Sequence, residues 1–158
     1  MSTNVPDPSA DRYAPGTRVA VVAARFNNAI VDELLSGCLL RLAELGGTAE
    51  VYRVPGAFEL PVAAKVAAQT GRFAAVICLG CVIRGDTPHF EYVAGEAARG
   101  IGQVAVNEGL PIIFGVLTTN TEQQALDRVG GSHGHAGRRA AEAAAETIAT
   151  LARMRCGC

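Results

Sequence analysis

The stretch Arg18 to Ala24, RVAVVAA, followed by Arg25-Phe26-Asn27-Asn28 and then by Ile30, Leu34, Cys38, Leu42 and Leu45, decides the fold. A short, nearly continuous apolar run marks a strand covered on both faces, as in a parallel sheet. The apolar residues after it recur at helical spacing, so a helix follows, with Asn27 or Asn28 as its cap and Gly46-Gly47 as its stop. The same alternation returns three times, with strands over residues 50–54, 74–81 and 111–117 and helices over 60–69, 88–107 and 121–129. An alanine-rich helix over 138–154 ends the series, packed either on its own sheet or against another subunit. Right-handed crossovers turn such a βαβ series into an α/β, doubly wound three-layer sandwich: a central, mainly parallel four-stranded sheet with helices on both faces.

The 158 residues, 49% hydrophobic and 18% charged, fit one domain over 17–154, preceded by a loose arm over 1–16 and followed by a short tail over 155–158. A formal net charge of -1 leaves no basic excess for a phosphate backbone or an anionic membrane, so neither nucleic acid nor membrane is an expected partner. No N-terminal apolar stretch resembles a signal peptide or anchor, and no later run is long enough to span a bilayer, which places the protein in the cytoplasm. Five cysteines, Cys38, Cys78, Cys81, Cys156 and Cys158, lack disulfide-framework spacing, and the first three fall in apolar segments where a buried thiol is the ordinary state. The Cys-Gly-Cys end has no histidine beside it and reads as a loose terminus rather than a metal grip.

In a doubly wound sheet, ligands sit in the crevice at the carboxyl ends of the strands, so the segments just past each strand carry the chemistry. Phe26 is one of few aromatic residues, and it either stacks a flat ligand or staples the next helix. In Gly85-Asp86-Thr87-Pro88, Pro88 suits the first helical position, Thr87 the cap, and Gly85 a close backbone approach, so the helix start offers free N–H groups to an anion. The Asp86 carboxylate must then point away, leaving its N–H. His89, just inside that helix, is either a proton-transfer group beside the anion or a plain surface histidine. Glu59 either complements a helix dipole or accepts hydrogen bonds from a polyol. The glycine-rich joint from Arg128 to Arg139, with His133 and His135 in it, is a solvated connector or a phosphate-facing loop; without nearby carboxylates it is a poor metal site.

Several of these segments, in this order from about Val19 to Arg153, resemble the lumazine synthase family. They are Arg25-Phe26-Asn27, Val54-Pro55-Gly56-Ala57-Phe58-Glu59-Leu60-Pro61, Leu79-Gly80-Cys81-Val82-Ile83-Arg84-Gly85-Asp86-Thr87-Pro88-His89-Phe90, Phe114-Gly115-Val116-Leu117-Thr118-Thr119 and Gln124-Ala125-Leu126-Asp127-Arg128. The resemblance implies a flavodoxin-like fold and the condensation of 5-amino-6-(D-ribitylamino)uracil with 3,4-dihydroxy-2-butanone 4-phosphate to 6,7-dimethyl-8-ribityllumazine, releasing phosphate and water, the penultimate step of riboflavin biosynthesis. It implies that Phe26 stacks on the uracil ring, and that Ala57, Phe58, Glu59, Cys81, Val82 and Ile83 line the ring and ribityl pocket. Phe114 completes that pocket from a neighbouring subunit, Asp86, Thr87 and Arg128 hold the phosphate, and His89 shuttles protons.

The same resemblance implies no cofactor and no metal. It also implies a homo-oligomer: a pentamer, assembled into an icosahedral shell of about 60 subunits if the short joint after Arg128 is the guide. Riboflavin synthase is a further partner it suggests. The sequence departs from the family where a lysine commonly precedes the glycine of the joint, because Ala136 stands there before Gly137. His135 is the expected secondary, pH-dependent phosphate contact, with Arg128 carrying most of the charge. A non-catalytic flavin- or lumazine-binding carrier, or a shell protein, on the same fold is the alternative. The set Thr87, His89 and Arg128 argues against a carrier, which has no phosphate to expel.

Overall fold

The computed structural model describes residues 11–157. Strand β1 (Arg18–Ala24) is followed by α1 (Asn28–Glu44), β2 (Thr48–Val54), a 3-10 turn (Ala57–Glu59), α2 (Leu60–Gln69), β3 (Ala75–Ile83), α3 (His89–Glu108) and β4 (Ile112–Thr119). The four strands form one parallel sheet in the order β2-β1-β3-β4. This is the doubly wound α/β architecture that the apolar runs predict.

Successive β1 residues point to opposite faces and both faces are covered, which is why the run reads as continuous rather than alternating. Val19, Val21 and Ala23 join one core with α1, through Ile30, Val31 and Leu34, and with α5 (Ala136–Cys156), through Ala140, Ala141 and Ala144. Ala20 and Val22 join the other, with α2 through Leu60 and Ala64 and with α3 through Ala97 and Ile101. The alanine-rich last helix therefore packs on its own sheet. At Gly137 an added Cβ would lie 2.0 Å from the Leu34 carbonyl oxygen, so glycine lets α5 pass directly over the backbone of α1.

Four local readings change. The helix expected over 121–129 stops early as α4 (Glu122–Leu126), and Val129 enters a small antiparallel hairpin of β5 (Val129–Gly131) and β6 (Gly134–His135). Gly130 (φ 106) and Gly134 (φ 74) take backbone conformations that a helix cannot use. Asn27 is the N-cap of α1 by position, but its φ is 56 and its side chain makes no cap bond, because the amide is turned toward β3. Thr87 does not cap α3: Pro88 occupies that place and the helix starts at His89 with no side-chain cap.

The fourth change concerns the ends. Of the arm over 1–16, the described part is docked: Tyr13 is buried, its hydroxyl donates to the Ala141 carbonyl at 2.6 Å, and its N–H donates to the Leu45 carbonyl at 3.0 Å. Residues 155 and 156 of the tail continue α5, where the Arg155 guanidinium donates to the Gly109 carbonyl at 2.7 Å. The first ten residues of the arm, and Cys158, lie outside the described residues. Among those described, no helix is long and apolar enough to cross a membrane.

Candidate active site

At the carboxyl ends of β1, β2 and β3 the chain leaves the sheet and encloses an open cleft of about 630 Å³. Its first wall is set by backbone pairing that continues beyond the strands. The Arg25 N–H donates to the Val54 carbonyl at 2.9 Å and the Phe26 N–H to the Pro55 carbonyl at 3.0 Å. Phe26 is thus held by its backbone while its ring stands 74% exposed at the cleft. Gly56 lies under it, where an added Cβ would come 3.6 Å from Phe26 Cδ2 and 3.3 Å from Glu59 Oε2.

The Glu59 carboxylate is fixed from below, since its Oε2 accepts the Gly56 N–H at 3.0 Å. Glu59 is the one carboxylate among the described lining residues, and its second oxygen is the natural acceptor for hydroxyl groups. Ala57 and Phe58 flank it. The end of β3 supplies the floor with Cys81, Val82 and Ile83, and Asn27 Nδ2 donates to the Cys81 carbonyl at 2.8 Å. Burial, with a smaller contribution from the negative charge of Glu122, pushes the Cys81 thiol up to about 11, so it is a packing group rather than a nucleophile.

His89 closes the cleft from the first position of α3. Tyr92 and Val93, three and four residues on, share its helix face and also line the cavity. Beside His89 lies the exposed turn of residues 85–88, and α3 starts after it without a side-chain cap, an arrangement whose first helical N–H groups suit an anion. Among the described residues no three His, Cys, Asp or Glu side chains converge as a metal site would require.

Eight of the residues expected from sequence, Phe26, Ala57, Phe58, Glu59, Cys81, Val82, Ile83 and His89, therefore line one cavity. Asp86 and Thr87 sit in the turn beside it rather than in its wall. Phe114 lies on the edge strand β4, 45% exposed and off the cleft of its own chain. Arg128 also lies off the cleft, with one guanidinium nitrogen donating to the Gln124 carbonyl at 2.8 Å.

His135 is engaged elsewhere. Its Nδ1 accepts the N–H groups of Gly137 at 3.2 Å and Arg138 at 3.4 Å, capping α5, and its ring occupies the space where a Cβ at Gly37 would stand. Burial, then the positive charge of Arg138, lowers its pKa, opposing the protonated form that an anion contact needs. Asn27, Pro55 and Gly56 also line the cleft from the strand-end segments expected there, whereas sequence reasoning missed Tyr92 and Val93. Helical spacing from His89 was the available signal for Tyr92 and Val93.

This arrangement can hold a flat ring against Phe26, a hydroxylated chain near Glu59 and an anion at the start of α3, with the His89 imidazole lining the same cleft. Residues 16–152 match the family model of 6,7-dimethyl-8-ribityllumazine synthase. Enzymes of that name from Yersinia pestis (strain Pestoides F) and Yersinia pseudotuberculosis serotype O:1b are each 51% identical over 138 residues, spanning 85% of this chain and 88% of theirs. With cleft, fold and sequence in agreement over nearly the whole chain, the protein belongs to the 6,7-dimethyl-8-ribityllumazine synthase family.

Proposed function

We propose that the cleft condenses 5-amino-6-(D-ribitylamino)uracil with 3,4-dihydroxy-2-butanone 4-phosphate to give 6,7-dimethyl-8-ribityllumazine. The substrate amine adds to the ketone and water leaves as the imine forms; phosphate is eliminated; the second amine closes the ring and a second water departs. No electron transfer is needed. What the site contributes is orientation of two substrates, stabilisation of the leaving anion and movement of protons.

The observation that carries this reading is the meeting in one cavity of an exposed Phe26 ring, a carboxylate held by the Gly56 N–H, and His89 at the head of α3. Phe26 stacks on the uracil, Glu59 binds the ribityl hydroxyls, and Ala57, Phe58, Cys81, Val82 and Ile83 shape the pocket. Asp86 and Thr87, through the turn before α3, receive the phosphate, and Arg128 supplies its fixed counter-charge. His89 passes protons between the amine, the departing water and the phosphate.

A second copy of the chain supplies Phe114, a reading supported by its exposure on an edge strand away from its own cleft. The assembly is a pentamer, built into an icosahedral shell, in the cytoplasm, with riboflavin synthase as a further partner. Purified protein mixed with the two substrates should raise lumazine absorbance well above the uncatalysed mixture. Tight binding of the product without that acceleration would make the chain a carrier instead.

A further inference from the structure

Arg84 follows the last residue of β3 and opens the turn that leads into α3 at His89. Its N–H donates to the Thr119 carbonyl at 2.9 Å, extending the pairing of β3 with β4 by one residue. From that fixed backbone the guanidinium reaches in two directions. Toward α3, Nη1 donates to Glu91 Oε1 at 2.7 Å and Cζ lies 4.5 Å from the centroid of the Phe90 ring. Toward β4, Nε donates to Asn120 Oδ1 at 2.9 Å, and the Asn120 N–H is in turn bound by Gln124 Oε1 at 2.8 Å, inside the cap of α4.

We infer that Arg84 is a positioning residue: it clamps the first turn of α3 to the end of β4, and so holds the His89 imidazole and the 85–88 turn in reacting geometry. This rests on the function proposed above. The clamp is needed because α3 begins without a side-chain cap, with Pro88 at that position. The first turn of an uncapped helix frays readily, and His89 is its first residue. Phe90 and Glu91, the two residues that Arg84 grips, come immediately after it.

The contacts are a poor source of stability, since the Arg84 and Glu91 side chains are 44% and 60% exposed, and so open an ion pair contributes little to folding. They are a good source of geometry. A planar, forked cation can bond Glu91 and Asn120 while lying over Phe90, which a lysine ammonium cannot do. Displacement of a reacting group by about 1 Å costs on the order of 100-fold in rate.

The full-length R84A and R84K proteins decide the matter through hydrogen exchange and steady-state kinetics. In R84A, amide exchange over residues 86–92 should rise about tenfold while α5 is unchanged. Its kcat should fall by roughly 10- to 100-fold, with binding of the ribitylaminouracil within about twofold of wild type. R84K should behave like R84A. A wild-type kcat in R84A, full recovery by lysine, or exchange raised equally in α5 would each overturn the clamp. If the wild-type protein itself formed no lumazine, the proposed reaction would fail, and the exchange measurement would still decide whether Arg84 holds the turn.

Discussion

The side-chain amide of Asn27 donates to the carbonyl oxygen of Cys81 at 2.8 Å, joining the turn after β1 to the end of β3 at the candidate site. Asn27 does so from φ 56, the sole non-glycine residue with positive φ among those described. Asn27→Ala removes the bond and leaves a left-handed alanine, for an expected loss of about 2 kcal/mol. Asn27→Gly loses the bond but relieves the backbone, for about half as much. Chemical unfolding at one protein concentration should rank wild type above the glycine variant and that above the alanine variant. Equal stability of the two variants would show that the left-handed turn carries no strain.

His89 lines the cleft as the first residue of α3, directly after the turn of residues 85–88. His89→Ala should lower kcat by about 100-fold or more, the low end of that range applying if orientation dominates over proton transfer. Binding of the ribitylaminouracil, followed by titration calorimetry, should stay within about twofold. An unchanged turnover number would remove His89 from the chemistry.

Gly137 has no room for a side chain, because the atom it would strike is backbone: the Leu34 carbonyl oxygen, 2.0 Å from an ideal Cβ. A rotamer change cannot relieve that contact, so α5 and α1 would have to separate along their shared core. Gly137→Ala should therefore cost about 3 kcal/mol, seen as a lower melting temperature and a reduced soluble yield. A wild-type melting temperature would show that the two helices part at little cost.

The cap that His135 gives α5 depends on an unprotonated Nδ1, which accepts two N–H groups. Burial and Arg138 lower its folded pKa from the ordinary value of 6.5. The unfolded chain then takes up the proton first, so the stabilising contribution is full above pH 6.5 and is lost as pH falls through the lower folded value. Thermal unfolding between pH 7.5 and pH 5 should show this decline in wild type. His135→Asn keeps a capping side chain that does not titrate, and should flatten the profile. If the KM for the butanone phosphate responded to pH in wild type but not in the asparagine variant, His135 would be a phosphate contact after all.

How much of this was legible in the sequence differs residue by residue. The β1 run was plain because both of its faces are buried, whereas the start of the edge strand β2 at Thr48 was not, since Thr48, Val51 and Tyr52 face solvent and break the apolar signal. The crevice rule pointed to the segments at and after the strand ends, and the family resemblance singled out within them the eight residues that line the cleft. The engagement of Asn27 with Cys81 and of His135 with Gly37 could not be read, because each joins residues distant in sequence. Local spacing carries helical faces and turns. It says nothing of which backbone a histidine will meet after the chain has folded.

Phe114 tests the shared site most directly, because its own chain leaves it 45% exposed on the edge strand β4 and outside the cleft. If a neighbouring copy supplies this ring, a site needs His89 from one chain and Phe114 from another. Two variants, His89→Ala and Phe114→Glu, should each be strongly impaired when assembled alone. The second places a carboxylate where an aromatic wall is required. Unfolded together in equal amounts and reassembled, they should form mixed oligomers in which roughly one quarter of sites combine an intact His89 with an intact Phe114. Activity should then climb well above the mean of the two separate preparations, toward about one quarter of wild type at equal protein. Light scattering on the same samples confirms that assembly has occurred and gives its size. Mixed oligomers of wild-type size with no gain in activity would mean that Phe114 serves its own chain or none, and a monomer with full wild-type activity would end the shared-site reading altogether.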